Sequence, residues 1–144
     1  MVNNDTIELL RECNAGVKMG ISSIEEVLDS VDDENFKTLL VDSKNEHEKL
    51  GEETRTLLND YHDSGKKPNA MAKGMSWMKT NVMLAVEPGD DTVADLITDG
   101  CNMGVKSLHK YLNKYEAAEE KAKDIAKRLI NIEERLAIDI RIYL

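Results

Sequence analysis

Apolar residues recur at intervals of three and four along almost the whole chain, and this spacing constrains the fold more than any other feature. One series comprises Leu10, Cys13, Val17, Gly20, Ile24, Val27 and Val31, and the next comprises Phe36, Leu40, Ser43, His47, Leu50, Thr54, Leu57 and Tyr61. Such intervals place one set of side chains on one face of an α-helix. Only two prolines and eight glycines interrupt the 144 residues, so the pattern predicts an all-α protein.

Breaks in the apolar pattern divide the chain into four long helices and one shorter helix. The long helices are predicted at about residues 5–31, 33–63, 91–114 and 117–143, and the shorter one at about residues 69–86. A length of 144 residues is typical of one domain. We therefore expect residues 1–144 to form a single helical bundle.

Capping residues predict where the long helices begin. The expected N-caps are Asp5 or Thr6, then Asp32, then the pair Asp90–Asp91. The boundary near residues 113–118 contains neither glycine nor proline, so one helix over residues 91–143 is the alternative. That helix would be about 80 Å long at about 1.5 Å per residue, which is too long for one small domain. A turn near residues 113–118 is therefore favoured.

The net charge of −9 is unevenly distributed: residues 1–63 carry −10 and residues 64–144 carry +1. An acidic surface repels a phosphate backbone, so nucleic acid is not an expected partner. No apolar run reaches the ~20 residues that span a bilayer, and residues 1–5 do not resemble a signal peptide. These features predict a cytoplasmic protein that does not enter a membrane.

The predicted elements are a helical hairpin, a long connection and a second hairpin. This order of elements resembles that of the ferritin-like superfamily. Three segments resemble, more particularly, a bacterial family of small ferritin-like domains of unknown function. They are residues 9–16 (LLRECNAG), 31–40 (VDDENFKTLL) and 74–79 (GMSWMK). The resemblance spans most of the chain and implies a ferritin-like four-helix bundle whose long crossover carries the short extra helix. None of the segments is a catalytic signature, so the resemblance implies a fold and no activity.

The metal ligands that many ferritin-like proteins use are missing at their expected spacing. Metal-binding members carry Glu-x-x-His on two helices, because a three-residue step places both ligands on one face. The residues three positions before the histidines are Lys44, Asn59 and Lys106. Cys13 and Cys101 are too far apart in sequence for a metal knuckle and are expected to be buried, free thiols. The sequence therefore predicts no cofactor and argues against di-iron chemistry.

One candidate polar site lies inside the predicted bundle. His47 belongs to the inward series of the second helix, Glu46 is beside it, and Glu133 flanks the inward series of the last helix. A hydrogen-bonded core histidine is favoured over a metal ligand or a catalytic base. A carboxylate-only cation site would draw on Glu12, Glu46, Asp99 and Glu133, which come from four helices. Solvated helix faces are the favoured explanation of these acids.

The candidate interaction surface comprises Met71, Met75, Trp77 and Met78, because thioethers pack adaptably against partners. Packing of these methionines onto their own bundle is the favoured alternative. Conventional catalytic motifs are missing from the sequence. We expect a non-catalytic bundle that acts through protein association, either as a homodimer or with a protein partner. The alternative is a metal-carboxylate oxidase or iron-handling protein with atypical ligands.

Overall fold

A computed structural model of the chain describes residues 3–61 and 89–144, in which four α-helices and no β-strand are found. α1 spans Asn4–Leu28, α2 spans Glu34–Asp60, α3 spans Asp90–Lys114 and α4 spans Glu120–Asp139, and a 3-10 helix follows at Ile140–Tyr143. The prediction of an all-α fold with four long helices is confirmed for these residues. The helix predicted at about residues 69–86 lies outside them. None of the described helices is both long and apolar enough to cross a membrane.

Side-chain contacts set the starts of α1 and α2 at positions that differ slightly from those predicted. Asn3 Oδ1 accepts the backbone N–H of Thr6 at 2.9 Å, so the cap of α1 precedes both predicted positions. Asp33, not Asp32, caps α2, because its carboxylate accepts the backbone N–H of Phe36 at 2.9 Å. In each case a short polar side chain satisfies a backbone donor that has no partner within the helix.

The second hairpin also departs from the predicted boundaries. Gly89, with a φ of +156°, is the N-cap of α3, and Asp90 and Asp91 lie in its first turn. That backbone conformation favours glycine because L side chains rarely adopt it. The predicted turn between the last two helices is confirmed, and it lies between Lys114 and Glu120. The last helix therefore begins about one turn later than expected.

Hydrogen bonds at one end of the bundle join the start of α1 to the turn between α3 and α4. Asn3 Nδ2 donates to the backbone O of Ala117 at 2.7 Å, and the N–H of Glu119 donates to Thr6 Oγ1 at 2.8 Å. The end of α2 reaches the same place, because Tyr61 Oη donates to Glu119 Oε2 at 3.2 Å.

Contacts at the other end join the turn between α1 and α2 to the start of α3. The carboxylate of Asp90 accepts the backbone N–H groups of Asp32 and Asp33 at 2.8 and 3.0 Å. The rings of Phe36 and Tyr143 stack there, with centroids 4.4 Å apart, so the chain's last helical turn lies at this end too.

These two sets of contacts fix the direction of each of the four described helices. α1 and α4 run in one direction, and α2 and α3 run in the other. Tyr61 and Gly89, which bracket the residues not described, therefore lie at opposite ends of the four-helix bundle.

Two apolar clusters form the core, one toward each end of the bundle. One includes Leu9, Leu10, Leu50, Leu58, Leu108 and Leu129, and the other includes Ile24, Phe36, Leu40, Val93, Ile97 and Ile140. The inward series predicted for the first two helices contain Leu10, Leu50, Ile24, Phe36 and Leu40 of these residues. On α3, Gly100 is exposed and Cys101 is buried. A step of four from Ile97 rather than three places that side chain in the core.

Candidate functional site

A polar layer lies between the two apolar clusters, at the middle of the bundle. It contains His47 on α2 and Glu133 on α4, whose exposed fractions are only 1% and 8%. Along α2, His47 follows Leu40 of one cluster and precedes Leu50 of the other. Ionisable side chains are rarely buried unless they are paired. The partners of these two residues therefore decide whether the layer is a closed internal pair or a site that is open to a ligand.

The two ring nitrogens of His47 both face oxygen atoms that only accept hydrogen bonds. Nε2 lies 3.2 Å from Glu133 Oε1, and Nδ1 lies 2.7 Å from the backbone O of Ser43. A neutral imidazole has one N–H donor, whereas an imidazolium has two. Opposite an ionised Glu133, both contacts are satisfied when His47 is protonated, as an imidazolium that donates to Ser43 and to the Glu133 carboxylate.

The electrostatic environment of His47 favours the same protonation state. Burial by itself lowers the pKa of His47, because it removes water from the charged ring. The hydrogen bond and the negative charge of Glu133 outweigh that effect, and the Ser43 carbonyl and the charge of Glu46 add to them. Together these contacts hold the pKa of His47 above its ordinary value of 6.5.

Two glycines lie against the ion pair, and one of them makes room for it. A Cβ atom at Gly20 of α1 would lie 2.6 Å from His47 Nε2, closer than real Cβ contacts allow. A Cβ atom at Gly104 of α3 would lie 3.4 Å from the carboxylate carbon of Glu133. The absence of a side chain at Gly20 is therefore a condition for the observed position of the imidazole.

Cys101 completes the layer from α3, and its thiol hydrogen-bonds the Glu133 carboxylate. Burial raises the pKa of Cys101 far above its usual range, and the charge and hydrogen bond of Glu133 raise it further. Burial, with a contribution from the charge of Glu12, raises the pKa of Cys13 to about 12. Both cysteines are buried and free, as the sequence predicts. Because the thiolate is the reactive form, neither thiol is a nucleophile at neutral pH.

The polar layer therefore consists of groups that satisfy one another. In its protonated form, His47 has no free lone pair with which to bind a metal ion or to accept a proton. No group of three or more His, Cys, Asp or Glu side chains within residues 3–61 and 89–144 is arranged to hold a metal ion. What the arrangement does chemically is neutralise a buried carboxylate and link α2 to α4 at one register.

Glu46, the third residue of the candidate polar site, has a different environment. Its carboxylate forms an exposed ion pair with Arg135 of α4 instead of joining His47 and Glu133 in the core. It influences His47 only through its charge. Exposed ion pairs contribute little to stability, about 0–1 kcal/mol, so this contact is not expected to hold the helices together.

A groove of about 140 Å³ lies beside this ion pair, between α2 and α4. Its lining residues are Leu39, Asp42, Ser43 and Glu46 from α2 and Ile132, Arg135, Leu136 and Asp139 from α4. The carboxylates of Asp42 and Asp139 have no hydrogen-bond or ion-pair partner in the described part of the chain. Ser43 is 6% exposed, and its Oγ is buried without a hydrogen-bond partner. An unsatisfied buried hydroxyl costs about 1–3 kcal/mol.

The remaining sequence-predicted residues are not gathered into a site. Glu12 is buried on α1, whereas Asp99 is exposed on α3, so the proposed four-carboxylate group does not form around Glu133. Met71, Met75, Trp77 and Met78, the candidate interaction surface, lie outside the described residues.

An internal repeat, which periodicity alone does not reveal, marks the pairing of His47 with Glu133. Residues 13–18 read CNAGVK and residues 101–106 read CNMGVK, while residues 45–50 read NEHEKL and residues 131–136 read NIEERL. The first motif lies on the first helix of each hairpin and the second motif on the second helix. His47 and Glu133 occupy the same place in the repeat. Equivalent positions of two antiparallel helices meet where the helices cross, which explains their contact.

Comparison of the chain with protein-family models, with curated proteins and with solved structures finds no match. The resemblance to small ferritin-like domains therefore stays a prediction.

Proposed function

We propose that this chain is a non-catalytic helical bundle that acts through protein association. The observation that carries the proposal is the buried pair of His47 and Glu133, which occupies the centre of the bundle with a contact between two protein side chains. A group already donating or accepting within the core is not available to a substrate. The function then belongs to the outer surface.

We further propose that the fold is ferritin-like. Ferritin-like bundles are distinguished from simple up-and-down bundles by one long crossover between their second and third helices. The directions of the four described helices, with Tyr61 and Gly89 at opposite ends, are those of a bundle with a single such crossover. A cytoplasmic location and a homodimer are part of the same proposal.

The described surface offers features that suit association. Met103, Ile138 and Ile142 are large apolar side chains with exposed fractions of 69%, 52% and 80%. The chain carries a net charge of −9, so a basic partner surface is favoured over an acidic one.

Association is tested by comparing the chain in native cell extract with the purified chain on gel filtration. The purified chain sets the elution position of the 16.2 kDa polypeptide or its homo-oligomer. We expect the chain in extract to elute as a larger complex, or both samples to elute as the same oligomer. Elution of both samples as a monomer across the accessible concentrations would contradict the proposal.

One observation favours the alternative of a metal-carboxylate oxidase: His47 and Glu133 are both ligand types, and they approach each other from facing helices. A metal bound at 100 times its dissociation constant would stabilise the fold by about 2.7 kcal/mol. We expect added iron, manganese or zinc to leave the melting temperature unchanged. A rise of several degrees that is absent from a Glu46→Ala, Glu133→Ala double variant would support the oxidase instead.

A further inference from the structure

We infer that the outer face of α4 binds a second copy of this chain, with the two copies of α4 antiparallel. The outer face comprises Glu134, Ile138, Arg141 and Ile142, which lie on α4 and on the 3-10 helix that continues it. Steps of three and four between such residues place their side chains on one side of a helix. This inference rests on the proposed function, because it names the surface and the partner through which the bundle would associate.

The centre of the outer face is apolar and exposed. Ile138 and Ile142 lie four residues apart, and their exposed fractions are 52% and 80%. Ile138 points away from the core, because Leu136 and Ile140, two positions to either side of it, are both buried. Single exposed apolar side chains are common on proteins, whereas adjoining ones mark interaction sites.

Charged side chains border these isoleucines on both edges of the face. Glu134 and Arg141 are seven residues apart, so they lie along one edge, two helical turns from each other. Arg135 and Asp139 are four residues apart and lie along the other edge. In the part of the chain that the structure describes, the side chains of Glu134, Asp139 and Arg141 have no partner. Arg135 binds Glu46 through one nitrogen of its guanidinium, which leaves further N–H donors.

An antiparallel pair of α4 helices brings the opposite charges of each edge together. A two-fold axis perpendicular to the helices places residues that are equally far before and after it side by side. With the axis just before Ile138, Glu134 lies level with the second copy's Arg141. Arg135 then lies within about 1.5 Å, along the helix, of the level of the second copy's Asp139. Each of these contacts occurs twice, so four pairs of opposite charge surround the isoleucines.

The charge balance of α4 suits self-association of a chain that is acidic as a whole. Like charges that face each other across an interface oppose association. The chain carries a net charge of −9, whereas residues 120–144 contain six basic and five acidic side chains. Two copies that meet along α4 therefore keep their most acidic part, residues 1–63, out of the contact.

The contact is tested by sedimentation equilibrium of the purified full chain. We expect a monomer–dimer equilibrium, in which the dimer has twice the mass of the 16.2 kDa chain. Ile138→Ser with Ile142→Ser should raise the dissociation constant of the dimer at least tenfold. Val41→Ser with Met103→Ser is the matched control, because it removes two exposed apolar side chains from α2 and α3. A dimer that both double variants weaken equally, or that the first leaves unchanged, would overturn the inference.

The antiparallel arrangement is tested by exchanging charges along one edge. Glu134→Arg alone and Arg141→Glu alone each place like charges opposite one another, so each should raise the dissociation constant several-fold. The variant with both substitutions has opposite charges again and should dimerise as tightly as the wild type. A double variant that dimerises no better than the single variants would overturn the inference.

Comparison of the purified chain with the chain in native cell extract separates this inference from the proposed function. A chain that is monomeric when purified but elutes from extract in a larger complex would overturn this inference and leave the proposed function intact. A chain that is monomeric in both samples would overturn the proposed function, and this inference with it.

Discussion

At the residue scale, His47 occupies the most unusual environment in the described core. A buried ion costs several kcal/mol in lost hydration, and only a close counter-charge with further hydrogen bonds offsets that cost. Glu133 supplies the charge, the Ser43 carbonyl supplies the second acceptor, and Gly20 leaves space for the ring. The position of one imidazole thus depends on residues from three helices.

The ion pair predicts a loss of stability when the carboxylate is neutralised. Glu133→Gln should lower the free energy of unfolding by about 1–3 kcal/mol, because a charge-assisted hydrogen bond is lost inside the core. Glu134→Gln is the matched control, since Glu134 is the adjacent, exposed carboxylate. Urea denaturation of the three proteins measures the difference. Equal stabilities of the two variants would show that the buried contact contributes nothing.

Replacing glycine with alanine should have opposite effects on stability at two helical positions, Gly20 and Gly100. Gly20→Ala places a Cβ atom 2.6 Å from His47 Nε2, and the ring is held on both sides, so this variant should be destabilised. Gly100→Ala meets no atom within 4 Å. Replacing glycine with alanine in an open helix position stabilises by about 0.5–1 kcal/mol. Thermal denaturation of both variants should therefore give melting temperatures on opposite sides of the wild type.

At the scale of elements, sequence patterns predict the four described helices and most of their buried faces. Three-four spacing identifies Phe36, Leu40 and His47 as inward because the period of the helix is a local property. Caps are less predictable, since neighbouring acids such as Asp32 and Asp33 are chemically equivalent until the chain direction at the turn is known. Periodicity places Glu46 as close to the core as Glu133, yet only Glu133 is buried.

The pairing within the site is harder to predict than the helices, because it depends on how the two hairpins pack. Periodicity places His47 on an inward face and Glu133 beside one, without saying that they meet. The repeated NEHEKL and NIEERL motifs do carry that information, since they identify equivalent positions of antiparallel helices. The groove was not predicted at all, because Asp42 and Asp139 look like ordinary surface acids until α2 and α4 are packed together.

The contact between Asp90 and the turn that joins α1 to α2 should contribute measurably to the free energy of unfolding. Asp90 joins the start of α3 to the turn between α1 and α2 by accepting two backbone N–H groups. Asp90→Ala should lower the free energy of unfolding by about 1–2 kcal/mol, because both charge-assisted bonds are lost at an exposed position. Asp95→Ala, at an exposed position one turn later in α3, should change it by less than about 0.5 kcal/mol. Chemical denaturation of the two variants tests this difference.

At the scale of the whole molecule, the ion pair links folding stability to pH. The folded-state pKa of His47 is raised above 6.5, so its contribution to stability is complete below about pH 6.5 and is lost as pH rises through the folded value. The groups facing the ring are Glu133 of α4, with Cys101 of α3 bonded to it, and Glu46 of α2. Lowering pH from weakly alkaline to about pH 6 should therefore stabilise the fold relative to a His47→Gln variant.

The control for this pH profile is His109→Gln, because His109 is exposed on α3. Denaturation of the three proteins at several pH values gives the comparison. The stability difference between wild type and His47→Gln should shrink as pH rises, and the His109→Gln variant shows the effect of removing an exposed imidazole. A difference for His47→Gln that grows with rising pH would reverse the assigned protonation state.

The claim that His47 and Glu133 form a closed pair at the bundle centre is tested most directly by ¹⁵N NMR of the His47 imidazole ring as a function of pH. A closed internal pair requires a titration midpoint above 6.5 that falls in Glu133→Gln, with both ring nitrogens protonated below that midpoint. That result would leave His47 committed to Ser43 and Glu133 and assign the function of the bundle to its surface. A midpoint at or below 6.5, or a midpoint that Glu133→Gln does not change, would contradict this and make His47 available as a ligand or base.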